Sequence, residues 1–121
     1  MSDAAGFLTT HVLDTSRGVP ATDLAIELFR LTDGSMQKVA SATTNQDGRT
    51  DKPILSAEHF ATGTYELVFH AGAYLRRIES NLAEPLFLDT VPIRFGMSDA
   101  TAHYHVPLLL SPYGYSTYRG S

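Results

Sequence analysis

The stretch TYELVFHA, residues 64–71, decides the fold. Tyr65, Leu67 and Phe69 fall on one side and Glu66, Val68 and His70 on the other, the period of two that a half-buried β-strand requires. Moving upstream, LAIELFRL (24–31) repeats the pattern, with Leu24, Ile26 and Leu28 set against Ala25, Glu27 and Phe29. Asp33-Gly34 then reads as a hairpin turn into a third strand near 37–43. FLTTHVLDT (7–15), closed by turn-prone Ser16, Gly18 and Pro20, is the first strand, and 90–95, 103–110 and 113–118 are the later ones. Asn45, Asp47 and Gly48 form a turn that delivers Arg49 to a loop-to-strand junction ahead of a short run to Leu55. Only 73–80 reads as helical, because Leu75, Ile78 and Glu79 follow a 3.6 period with Arg76 and Arg77 outside. The expectation is an all-β sandwich of about eight strands with one short helix. Pro92 and Pro107 fall inside strands and are expected at edge or bulge positions, since proline donates nothing to a ladder.

The 121 residues allow a single domain, 1–121, with 1–6 as a short disordered N-terminal extension. Hydrophobic residues make up 43% and charged residues 18%, the balance of a folded globular chain with no run near the ~20 apolar residues of a spanning helix. No membrane partner is expected. A net charge of -4 from nine Lys plus Arg argues against nucleic acid as a partner. With no cysteine there are no disulfides and no thiol nucleophile. The opening residues lack the basic and apolar regions of a secretory signal, so the expected location is cytoplasmic.

Five histidines are a generous supply of groups that titrate near neutrality. His11 lies mid-strand, and His103 and His105, two apart on one strand, project to the same face. His59 and His70 read as solvated side chains. His11, His103 and His105 allow a three-histidine zinc site, but a weakly signalled one, and no metal is expected. There is no G-x-S-x-G elbow for a covalent serine mechanism. What remains is histidine as a general base toward water, arginine as a carbonyl clamp and tyrosine as an orienting hydroxyl, a set sufficient for hydrolysis without a cofactor.

LTTHVLDT (8–15), NQDGR (45–49) and YHVPLLLSPYGYSTYRGS (104–121) together resemble the transthyretin-like 5-hydroxyisourate hydrolases, in register over nearly the whole chain. The terminal YRGS is the most specific element, because the hormone-carrying transthyretins share the fold but lack it and the histidine before it. The resemblance implies a homotetramer of β-sandwiches with active sites at the dimer–dimer interface. It implies hydrolytic opening of the lactam ring of 5-hydroxyisourate to 2-oxo-4-hydroxy-4-carboxy-5-ureidoimidazoline in urate breakdown. Carried onto this sequence, it places His11, Arg49, His105 and Ser121 as catalytic residues and His11, Arg49, Tyr118, Arg119 and Gly120 as substrate-binding residues, with no cofactor and no metal. In that scheme His11 and His105 position and deprotonate water, Arg49 holds a carbonyl and Tyr118 orients the ring. The alternative from another class is a transthyretin-like carrier that holds a small ligand without turning it over.

Overall fold

The computed structural model describes residues 5–120. Among the described residues, eight strands form two four-stranded sheets, accompanied by one helix. In chain order they are β1 (Phe7–Asp14), β2 (Val19–Pro20), β3 (Ala25–Thr32), β4 (Ser35–Thr43), β5 (Gly63–His70), α1 (Ala71–Ile78), β6 (Thr90–Met97), β7 (His103–Ser111) and β8 (Gly114–Thr117). One sheet has the order β2-β1-β7-β8 and the other β4-β3-β5-β6.

The alternation that pointed to strands also decides which faces meet. Leu8, Val12, Tyr104, Val106, Leu108 and Leu110 of the first sheet pack against Ile26, Leu28, Tyr65, Leu67 and Phe69 of the second. The interleaved residues of β1, namely Phe7, Thr9, His11 and Leu13, are half-buried and lie on the outer face of the first sheet. Burial of a large apolar side chain contributes about 1.5–3 kcal/mol, so this face choice is strongly enforced, and it holds His11 outside the core. The hairpin joining β3 to β4 turns on Asp33 and Gly34, both with positive φ (49° and 80°), as the Asp-Gly pair requires.

Several boundaries differ from expectation for physical reasons. Helix α1 begins two residues earlier than its periodicity suggested, directly out of β5 and without a side-chain N-cap. Tertiary contacts hold it: Tyr74 and Leu75 are buried, and the Tyr74 hydroxyl donates to Asp14 Oδ2 at 2.7 Å. Burial, reinforced by that carboxylate, pushes the Tyr74 phenol up to about 12. The segment 49–55 forms no continuous strand, touching β1 only at the His11–Arg49 and Leu8–Leu55 bridges.

Pro92 lies in edge strand β6, as expected. Pro107 instead occupies the interior strand β7, where it falls just beyond the Leu108–Thr117 end of the β7–β8 ladder. The Thr117 hydroxyl donates to the Pro107 carbonyl at 2.7 Å, and pairing resumes at the His105–Gly120 bridge. The gap in the ladder thus coincides with the residue that has no N–H to offer. At the other end, Gly6 is already buried, its N–H donating to Ala100 O at 2.7 Å, so the ordered chain reaches into the expected 1–6 extension. Residues 1–4 lie outside the described residues.

Candidate active site

Strands β1 and β7 run parallel with Phe7 beside His103, Thr9 beside His105 and His11 beside Pro107. That register gathers the first and last strand regions of the sequence on one outer face. His103, Thr9 and His105 become contiguous there: Thr9 Oγ1 lies 2.7 Å from His103 Nε2 and 2.7 Å from His105 Nδ1. The His103 ring stacks on Phe7 at 4.1 Å between centroids and an interplanar angle of 10°.

The 45–49 loop closes the site from the other side of β1. Asn45 Oδ1 accepts the N–H groups of Asp47 (2.8 Å) and Arg49 (3.2 Å), an Asx-type turn, while Asn45 N–H donates to Arg49 O at 2.7 Å. Gly48, with φ of 75°, lets the loop press onto β1, where Val12 N–H donates to Gly48 O at 2.8 Å. A Cβ at Gly48 would collide with the Val12 carbonyl oxygen and stand 3.3 Å from the His11 ring. The same approach lets His11 Nε2–H donate to Asp47 O at 2.8 Å, which fixes Nδ1 as the unprotonated nitrogen of the neutral ring.

Arg49, Thr50, Thr9, Thr10, His103 and His105 line a cleft of about 330 Å³. Burial lowers the pKa of both His11 and His105 below the ordinary 6.5, and the Arg49 guanidinium lowers each further. Asp47 partly offsets the effect at His11, whereas His103 and His11 reinforce it at His105. Both rings are therefore neutral at physiological pH, the form that accepts a proton.

The C-terminal residues divide between two places. Gly120 lies against His105: its N–H donates to His105 O at 2.7 Å, and a Cβ there would stand 2.5 Å from His105 Cδ2. Arg119 instead lays its guanidinium over the Tyr104 ring, 4.4 Å from the centroid, away from the histidine cleft. With the 60% exposed Tyr118 it borders a second cavity of about 240 Å³ against Ile93 and Phe95 of β6. Ser121 lies outside the described residues.

Among the described residues no three His, Cys, Asp or Glu side chains converge on one point. His103 and His105 each direct a nitrogen to the Thr9 hydroxyl and His11 one to a carbonyl, so these three form no ready ligand set. His70 is not simply solvated, because its Nε2 is paired with Glu27 Oε1 at 2.7 Å. Sequence reasoning overlooked Thr9, which looks like any β-branched strand residue, and the Asp47 carbonyl. The Asx turn was the one available signal for the latter.

A four-on-four sandwich carrying histidines and an arginine on one outer sheet face, closed by the 45–49 turn, defines a transthyretin-type domain with a polar site. The chain belongs to the HIUase/Transthyretin family, whose model matches residues 8–120. It is 59% identical over 117 residues to "5-hydroxyisourate hydrolase 2" of Rhizobium meliloti, covering 97% of this chain and 98% of that one. Among solved structures, the 5-hydroxyisourate hydrolase of Klebsiella pneumoniae superposes with a TM-score of 0.77 at 35% identity, covering 95% of this chain and 99% of that one. An (S)-allantoin synthase superposes with a TM-score of 0.91 at 46% identity, covering 99% of this chain. This chain spans 45% of that longer protein.

Proposed function

We propose that this protein hydrolyses 5-hydroxyisourate, opening its lactam ring. The observation that carries the reading is the meeting of Arg49 and a neutral, partly buried His105 at one small cleft, with a second neutral histidine, His11, close enough for the Arg49 charge to act on both rings. Near full-length relatives that bear the hydrolase name support it.

In this reading the substrate enters the cleft with a carbonyl toward Arg49, whose planar fork suits the polar rim of a flat heterocycle. A neutral imidazole, His105 with His11 beside it, takes a proton from water as the oxygen adds to the lactam carbonyl. Arg49 stabilises the oxyanion that forms. Collapse of the adduct breaks the ring C–N bond, and the imidazolium returns its proton to the departing nitrogen. The product is a carboxylic acid with the ring open, which releases its proton to solvent to become the carboxylate, and atoms and charge balance without a cofactor. Gly120 seats His105, Arg119 holds the terminal segment on the Tyr104 ring, and Tyr118, which within one chain borders the second cavity, orients the substrate ring from across a subunit interface; a role for Ser121 in bonding water or substrate rests on the family resemblance alone.

The reading includes a homotetramer with sites where dimers meet, and a cytoplasmic location. The exposed Tyr113, Tyr115 and Tyr118 (69%, 45% and 60%) support assembly, since exposed aromatic surface of this kind is what a second subunit covers. A mass measurement in solution tests the tetramer.

The activity is tested with freshly generated 5-hydroxyisourate, following its ultraviolet absorbance. Decay well above the spontaneous rate at micromolar protein is expected. No acceleration, with saturable binding retained, would make the protein a carrier instead.

A further inference from the structure

The Thr9 hydroxyl sits between two imidazoles at 2.7 Å from each, and it has a single proton to donate. Whichever ring receives that proton, the other must donate to the oxygen. The tautomers of His103 and His105 are therefore linked. If Thr9 donates to His103 Nε2, His105 carries its proton on Nδ1 and presents a bare Nε2. If His103 donates from Nε2, the Thr9 proton is left for the one other partner its hydroxyl has among the described residues, His105 Nδ1, and a neutral His105 then carries its proton on Nε2.

We propose that Thr9 is a positioning residue that selects the basic tautomer of His105, and that His103 is the group that sets the direction of the Thr9 hydroxyl. The inference rests on the hydrolytic reading only for its catalytic consequence; the tautomer linkage stands on geometry. The groups around His105 favour the productive state. Arg49 shares the cleft, and its positive charge favours the neutral form of His105. His11 on β1 and His103 on β7 are the other titratable groups that act on His105, and Gly120 packs on its Cδ2 side. His105 Nε2 has no hydrogen-bond partner among the described residues, whereas Nδ1 is committed to Thr9.

His103 is held for the task by stacking on Phe7, yet it is exposed and can take up a proton from solvent. A protonated His103 can only donate from Nε2. That turns the Thr9 hydroxyl toward His105 and removes the base from the cleft without His105 itself being charged.

The test is a long-range proton–nitrogen NMR titration of the histidine rings in the free protein, a readout that needs no substrate. His105 is expected as the Nδ1–H tautomer while His103 is neutral, switching to Nε2–H with the midpoint of His103's own titration. In Thr9→Val the switch should vanish, kcat should fall about 10- to 100-fold with KM little changed, and the acid limb of the rate should move away from the His103 midpoint to that of His105. Thr9→Ser, which keeps the hydroxyl, should restore all three properties. A His105 tautomer that ignores His103 titration in the unmodified protein overturns the proposal, even if Thr9→Val fails to fold. Absence of turnover alongside an intact tautomer switch would instead count against the hydrolytic reading.

Discussion

Gly120 packs directly on the imidazole of His105, close enough that a single methyl group would stand 2.5 Å from Cδ2 and 3.1 Å from Cγ. Its N–H also donates to the His105 carbonyl. The terminal segment therefore forms one wall of the histidine's seat, and glycine is the residue that permits this approach.

Gly120→Ala is expected to push the ring off its Thr9 contact. Because the neighbour is a half-buried side chain near the chain's end, overpacking here should cost only about 1 kcal/mol of stability. Turnover should fall at least about tenfold, since sub-ångström misplacement of a base is costly. Paired thermal melts and steady-state rates check this; an unimpaired rate would show that His105 does not depend on its seat.

Gly48 makes the opposite case. Its φ of 75° and its pressure against the Val12 carbonyl place it in a conformation that an L side chain resists. Gly48→Ala should destabilise the fold by about 1–3 kcal/mol and lift the 45–49 loop off β1, taking the Asp47 carbonyl from His11 and moving Arg49. Loss of stability and activity should appear together, as a lowered Tm and a raised KM.

The lowered pKa values of His11 and His105 also bear on stability. The unfolded chain takes up these protons near pH 6.5 and the folded chain only at lower pH, so between the two values the unfolded state binds more protons. Stability contributed by neutral His11 and His105 should thus be fully present above about pH 6.5 and decline as pH falls through the depressed folded values. Denaturant midpoints measured from pH 8 to 5, compared with a His11→Gln, His105→Gln double variant, check this. The variant should lose the part of the acid-side slope owed to these two rings.

How much of this was visible in the sequence depends on the range of the interaction. The alternation at Tyr65, Leu67 and Phe69 and the Asn45–Gly48 turn signals are local, and both were legible. The placement of His103 and His105 on one face followed from a spacing of two. Helix α1's true start was not legible, because Tyr74 and Asp14, which anchor it, are 60 positions apart. The role of Thr9 was hidden for the same reason: its partner His105 is 96 positions away, reached only through the parallel pairing of β1 with β7. Arg119 and Gly120 are adjacent in sequence, but Arg119 is drawn aside by the Tyr104 ring while Gly120 packs on His105. No sequence pattern announces that preference.

Arg49 has two separable effects, one through its charge and one through its shape. The charge depresses His11 and His105, whereas the planar fork is what would grip a carbonyl in the proposed hydrolysis. Arg49→Gln removes both, so the two histidines should titrate closer to 6.5 and turnover should fall about 10²-fold or more, the usual loss for an oxyanion donor. Arg49→Lys keeps the charge and loses the fork. It should leave the histidine titrations near those of the unmodified protein while still lowering kcat, because one ammonium cannot reproduce two parallel N–H bonds. Histidine titrations followed by NMR, set beside kcat for the two variants, separate the contributions. Equal titrations in both variants would remove Arg49 as a cause of the depressed pKa values, and full activity in Arg49→Lys would reduce its role to that of a point charge.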